Sequence, residues 1–219
     1  MQAVILAAGR GSRMGVLTEE VPKPMLLYKG KTLLEHKFDI LPADVDHIIL
    51  VVGYRAEVVR AAYAEGYQGR RVSFVEQQNS VGGTADALWS ARPMLTDRFL
   101  VLMGDDLYAR EDIERCRGFD WALLVQHVPD VSVGGHVVLQ NDVVSTIVEH
   151  KGAGEGLVST NMFMLDTRLF SHPPVPKAPG SSELGLPQTV LAASAASGIP
   201  LHVVRATYWK QITAPADLI

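Results

Sequence analysis

Apolar residues recur along this chain in two alternating rhythms. Short runs rich in branched aliphatic residues, at 2–7, 47–52, 71–76 and 99–103, read as buried strands. Between them, 31–41, 56–65 and 84–95 carry apolar residues at helical spacing. Alternation of this kind predicts βαβ units, hence an α/β protein whose parallel sheet is covered by helices on both faces. The second half changes character. Strand-like segments follow at 121–127, 135–139 and 143–149, the last two flanking the turn-like Gln140-Asn141-Asp142, which predicts a hairpin. Further strands are expected at 157–165 and 201–206 with a helix at 187–197 between them, and the Pro-, Ser- and Gly-rich 171–182 reads as a surface loop.

Chemistry enters at the end of the first strand, which breaks into Ala8-Gly9-Arg10-Gly11-Ser12-Arg13-Met14-Gly15. A strand that opens into glycines brings backbone N–H groups close to a phosphate chain, because glycine lacks a Cβ and accepts unusual dihedral angles. Arg13 adds a fixed charge, and Pro22-Lys23-Pro24 projects an ammonium from a stiff segment. Two cations on one loop suggest a polyphosphate. The dinucleotide fingerprint fails because Met14 stands where its third glycine belongs, and the Walker A ending Gly-Lys-Ser/Thr is absent.

What remains resembles the sugar-phosphate nucleotidyltransferase signature L-A-A-G-x-G-x-R-M, followed by P-K-P and G-K-x-L-L-E-H. Here these pieces are 6–14, 22–24 and 30–36. The resemblance implies one nucleotidyltransferase domain over 1–219, with a nucleotide and metal half (1–110) and a sugar-phosphate half (111–219). Its fold would be α/β, a Rossmann-like three-layer arrangement of a mixed, mostly parallel sheet with helices on both faces and an added β-hairpin region. It also implies that Leu6, Ala7, Ala8, Gly9, Gly11, Ser12 and Arg13 hold nucleotide, and that Arg13, Lys23 and Asp105 carry catalysis.

The other expected groups lie at strand ends, where open α/β sheets place ligands. The apolar run 99–103 ends in Gly104-Asp105-Asp106, and a carboxylate there suits Mg²⁺ or Mn²⁺; the family's G-D motif assigns the metal to Asp105 and leaves Asp106 a secondary role. Relatives read the base with a glutamine shortly before a G-T segment. Counting from the strand selects Gln77, counting back from Gly83 selects Gln78, and the reading prefers Gln77 with Gly83 and Thr84. Gly135, Glu149 in Ile147-Val148-Glu149-His150-Lys151, and Asn161 match the sugar-contacting segments, although Gly134 replaces a tyrosine and Asn161 a glycine. Near the end, Gln211 occupies the place of the second metal aspartate, a weaker ligand, and Asp217 is expected to cap the terminal helix.

Composition narrows the picture. The 219 residues, 47% of them hydrophobic, suffice for one full core. A formal charge of −4 argues against a nucleic-acid-binding face. Cys116 is the only cysteine, so no intramolecular disulfide or cysteine-based zinc site is expected. No apolar run approaches the roughly 18 residues of a membrane span, and no basic leader with a cleavage site opens the chain, so a cytoplasmic setting without membrane partners is the expectation.

The reaction expected is NTP plus sugar 1-phosphate giving NDP-sugar and pyrophosphate, with UTP or dTTP favoured; the oligomeric state is not readable. Three rivals stand beside it. One is a cytidylyltransferase for phosphocholine or another non-sugar phosphate, for which Tyr208 and Trp209 are the only adjacent aromatics. Another is a catalytically weakened nucleotide-binding regulator, motivated by Gln211 and Asn161. The third is an enzyme core working with another chain, since the sequence ends at Ile219 as its last helix begins; no β-helix repeat follows, so no fused acyltransferase is expected.

Overall fold

The computed structural model describes residues 1–149 and 153–219. In chain order the elements are β1 (Gln2–Leu6), β2 (Leu27–Tyr28), β3 (Lys31–Thr32), α1 (Leu33–Ile40), β4 (His47–Val52), α2 (Ala56–Tyr63), β5 (Arg71–Glu76) and α3 (Gly83–Ala91). They continue with β6 (Arg98–Met103), β7 (Asp106–Tyr108), α4 (Arg110–Cys116), β8 (Trp121–Val128), β9 (Gly135–Gln140), β10 (Val143–Glu149), β11 (Gly156–Asp166), α5 (Leu186–Ser197), β12 (Leu201–Arg205) and β13 (Trp209–Gln211).

A nine-stranded sheet in the order β5-β4-β1-β6-β11-β8-β12-β10-β9 organises the molecule. The strands β5, β4, β1 and β6 are mutually parallel, as are β8 and β12, while β10 and β11 run against the rest. The strand period of two sorts the core into layers. From β1, Val4 and Leu6 pack with Leu88 of α3 and Val190 of α5, whereas Ala3 and Ile5 face Phe38 of α1, Val59 of α2 and Ile113 of α4. Burying each of these side chains larger than alanine contributes roughly 1.5–3 kcal/mol. Among the described residues, no helix is long and apolar enough to cross a membrane.

Local chemistry sets the boundaries. The helix expected over 31–41 starts at Leu33 because Thr32 caps it: the Glu35 N–H donates to Thr32 Oγ1 at 3.1 Å, and Thr32 N–H donates to Glu35 Oε2 at 2.6 Å. The helix expected over 84–95 stops at Ala91, where Arg92–Met94 tightens into a 3₁₀ turn containing Pro93. The hairpin forms as β9–β10, with Asn141 and Asp142 at φ of 52° and 60°, the two left-handed positions of a tight two-residue turn. β9 also pairs with the start of β11, which folds the hairpin over the sheet. Absent from the sequence reading are α4, whose charged stretch carries little apolar period, and the ribbon in which β13 pairs antiparallel with β7.

Candidate functional site

Strand ends converge where β1, β4 and β6 lie side by side. Ala7 N–H donates to Val51 O (2.8 Å), Gly104 N–H to Leu6 O (2.9 Å) and Tyr54 N–H to Ala8 O (3.1 Å), so three chain exits are tied together. Glycine is required at two of them by close backbone approach: a Cβ at Gly53 would lie 2.8 Å from Ala8 O, and one at Gly104 would lie 2.9 Å from Leu6 O.

The glycine loop turns at Gly11, left-handed with φ +67°, into the 3₁₀ turns of Ser12–Thr18. Thr18 Oγ1 donates to Gly11 O at 3.1 Å. Met14 is buried and anchors the loop in a small apolar cluster with Leu26, Leu33, Leu107 and Ile212. That packing role explains a large side chain where a dinucleotide loop would have glycine. Lys23 is buried against Gly11, and its Nζ lies 2.5 Å from Asp105 Oδ2. Arg13 stays exposed on the loop.

Behind Asp105 sits a second layer of charge. Asp106 is buried; its Oδ2 accepts from Trp209 Nε1 at 2.9 Å, while its Oδ1 has no partner among the described residues. Burial, reinforced by the neighbouring charge of Asp105, pushes the Asp106 carboxyl far above the usual range. Lys37 Nζ is likewise buried and has no hydrogen-bond partner among the described residues, and burial lowers its pKa against the pull of Asp105 and Asp106. Both groups face a separate cavity of about 220 Å³. Gln211 pairs with Asp106 across the β7–β13 ribbon, and Ile212 N–H donates to Asp105 O (3.2 Å), which holds Gln211 beside Asp105.

One cavity of about 500 Å³ gathers the residues picked out in the sequence. Leu6, Ala7, Ala8, Gly9, Gly11, Ser12, Arg13 and Lys23 line it, as do Gln77, Gly83, Thr84, Asp105, Gly135, Glu149, Asn161 and Gln211; Gln78 does not. His150 and Lys151, the rest of the Glu149 motif, lie outside the described residues. Asn161 sits at φ +57°, a conformation that suits the glycine expected there from the family resemblance and that Asn tolerates better than most side-chain-bearing residues. Gly135 leaves room for Glu149, since a Cβ there would stand 3.1 Å from Glu149 Oε1. Asp217 Oδ2 accepts from the N–H groups of Thr213 and Ala214 at 2.7 and 2.8 Å, closing the terminal 3₁₀ turn.

Several wall residues were not singled out from sequence. Gln188 Nε2 donates to Glu149 Oε1 at 2.9 Å, while its own Oε1 is buried without a partner among the described residues. Lys177 and Glu183 form a 3.7 Å ion pair on the wall, and Ser159 lies two residues before Asn161. Gln188 follows the apolar pair Leu186-Pro187 at the start of α5 and carried no signal of its own, and nothing local pointed to Lys177 or Glu183.

A glycine-rich loop, a buried lysine against a strand-end carboxylate and a polar far wall together define a nucleotidyltransferase, and the comparisons agree. Residues 3–117 match the MobA-like NTP transferase domain, and the chain belongs to that family. It is 28% identical over its full length to the bifunctional protein GlmU of Methanocaldococcus jannaschii, of which it covers 53%, so it spans about half the length of that relative. It is 29% identical to the UTP–glucose-1-phosphate uridylyltransferase AglF of Haloferax volcanii, with 99% of this chain and 93% of that protein aligned. The inositol-1-phosphate CTP transferase structure from T. maritima superposes with a TM-score of 0.79 at 22% identity, covering 100% of this chain and 91% of that one, a likeness of fold.

Proposed function

We propose that the protein joins an NTP to a sugar 1-phosphate, giving an NDP-sugar and pyrophosphate. The supporting observation is the order of groups across one cavity. Gln77 follows β5, the glycine loop follows β1, Asp105 follows β6, Asn161 lies on β11, and Gly135 and Glu149 lie on the hairpin beside β11. Base, phosphates, reacting centre and sugar of such a pair of substrates run in the same order.

In this reading a phosphate oxygen of the acceptor attacks the α-phosphorus in line and the bond to pyrophosphate breaks, without a covalent enzyme intermediate. No base is needed, because the attacking phosphate is already anionic near neutral pH. The task is to hold two polyanions together and to stabilise charge on the leaving group. Arg13 and the loop amides are suited to the β- and γ-phosphates, and Lys23 to the bridge toward the α-phosphate. Glu149 and Asn161, with Gln188, offer acceptors and a donor to sugar hydroxyls.

Asp105, in the turn that leads into β7, and Gln211, on the paired strand β13, present oxygen donors onto the cavity, a set that fits a hard cation. Mg²⁺ held there, with Mn²⁺ as substitute, would neutralise phosphate charge shared between the substrates. A phosphocholine acceptor gains no support: among the described residues Trp209 is the one aromatic on the cavity wall, its indole N–H is committed to Asp106, and Tyr208 faces the separate smaller cavity.

The deciding experiment crosses UTP, dTTP, GTP, CTP and ATP with glucose 1-phosphate, N-acetylglucosamine 1-phosphate, inositol 1-phosphate and phosphocholine, and reads pyrophosphate release. Turnover with a uracil or thymine nucleotide and a sugar 1-phosphate is expected. Nucleotide binding without pyrophosphate from any pair would leave the regulatory reading in its place.

A further inference from the structure

Gln77 reaches the cavity with its amide already turned. Its Nε2 donates to Gly83 O at 3.1 Å and to Asp86 Oδ2 at 2.8 Å, while its Oε1 has no partner among the described residues. Both neighbours of Nε2 are acceptors. Reversing the amide would set Oε1 against a carbonyl oxygen and a carboxylate oxygen, losing two hydrogen bonds and adding repulsion, so the orientation follows from the network.

The surrounding backbone makes room for this arrangement. A Cβ on Gly82 would lie 2.4 Å from Asp86 Oδ2, so the carboxylate occupies space that only a glycine leaves open. Gly83 presents its carbonyl from a left-handed turn (φ +84°), and a Cβ there would stand 2.5 Å from Leu184 O. That turn is held in turn by Leu184 N–H donating to Gly82 O (2.8 Å) and Ala85 N–H donating to Leu184 O (3.0 Å). Asp86 is not on the cavity wall; it acts through Gln77.

We infer that Asp86 is a positioning residue that makes Gln77 a pure acceptor and thereby selects nucleotides whose base carries a ring N–H. Uracil and thymine offer N3–H and guanine offers N1–H. Cytosine and adenine present a lone pair at the corresponding ring nitrogen, which a locked Oε1 repels; to use the exocyclic amino group instead, the ring has to slide sideways. The inference rests on the proposed nucleotide site and names its base class, with the pyrimidine imides as the smaller members of that class.

The test is equilibrium binding of UTP, dTTP, GTP, CTP and ATP to the wild type, to Asp86→Asn and to Asp86→Ala, with kcat/KM alongside and thermal melts as a folding control. UTP should bind wild type more tightly than CTP by on the order of ten- to a hundredfold, the scale of one hydrogen bond replaced by repulsion. Asp86→Asn keeps the shape but can donate as well as accept, so the reversed orientation of Gln77 is then opposed by the Gly83 carbonyl alone and becomes accessible to a base that rewards it. The UTP-to-CTP ratio should then fall about fivefold or more, chiefly by improved CTP binding.

CTP bound by the wild type within about threefold of UTP, or both nucleotides weakened equally in a folded Asp86→Asn, would overturn the inference. Should Asp86→Asn not fold, the Asp86→Ala ratio and the wild-type ratio still decide. Base-selective binding without turnover would defeat the proposed reaction while leaving the base selection standing. Failure of every NTP to bind would defeat both.

Discussion

Replacing Lys23 with methionine separates a phosphate-binding lysine from a structural one. Methionine keeps the aliphatic stem that packs against Gly11 and removes the ammonium 2.5 Å from Asp105 Oδ2. The Lys23 side chain is 8% exposed and that of Asp105 31%, so water reaches the carboxylate once its partner has gone. The stability cost should therefore stay near ~1 kcal/mol, below that of breaking a fully buried pair. A charge-assisted bond from Lys23 to phosphate is a different matter, worth about 1.5–3 kcal/mol. Its loss converts to a roughly 10- to 150-fold fall in kcat/KM for the NTP. Urea denaturation measures the first quantity and pyrophosphate release the second. Combined with Asp105→Asn, the pair should show non-additive losses in activity, because the two groups touch and serve one site. Retention of kcat/KM within about twofold by a folded Lys23→Met protein would refute the phosphate assignment.

Gly11→Ala should lower NTP affinity more than its melting temperature suggests: a left-handed φ of +67° costs ~1–2 kcal/mol for alanine, and the new Cβ would stand 2.8 Å from Lys23 Cβ, displacing the lysine. Equal NTP affinity in the two proteins would show that Lys23 is not placed by this contact. For the metal, Asp105→Asn should raise the Mg²⁺ concentration giving half-activity by more than Asp106→Asn does, and Gln211→Asp or Gln211→Glu should lower it; indifference to both Gln211 variants would remove that residue from the metal site. At Asp166, burial raises the carboxyl pKa, but bonds from the Arg168 side chain and backbone and from Trp121 outweigh it and hold the pKa below the ordinary value. Its stabilisation is then complete above the unfolded pKa of about 4 and is lost as pH falls through the folded value. Asp166→Asn should cost stability at neutral pH and flatten the acid limb of a urea-midpoint curve, and an unchanged acid limb would count against the network.

Much of the frame was legible because burial imprints itself locally. The runs at His47–Val52 and Arg71–Glu76 form strands at the bounds read from their apolar content, and the glycine loop opens where the first strand loses its apolar period. Charged α4 and the three-residue strands β7 and β13 left no such imprint, since segments that short or that polar are stabilised by what they pack on. Asn161 illustrates the intermediate case: its departure from glycine was visible, and the reason, a left-handed backbone, was not.

By itself, the sequence determined the alternation of elements, the glycine loop, the strand-end carboxylate Asp105 and the family to which they point, because each depends on neighbours within a few residues. Only the tertiary structure decided that Gln77 rather than Gln78 lines the cavity, that Asp86 turns its amide, that Trp209 holds Asp106 and that Gln188 meets Glu149. The last two join residues 103 and 39 positions apart, and such meetings depend on the order in which strands assemble into the sheet. Hydrophobic periodicity says which face of an element is buried; it carries no information on which distant element that face will meet.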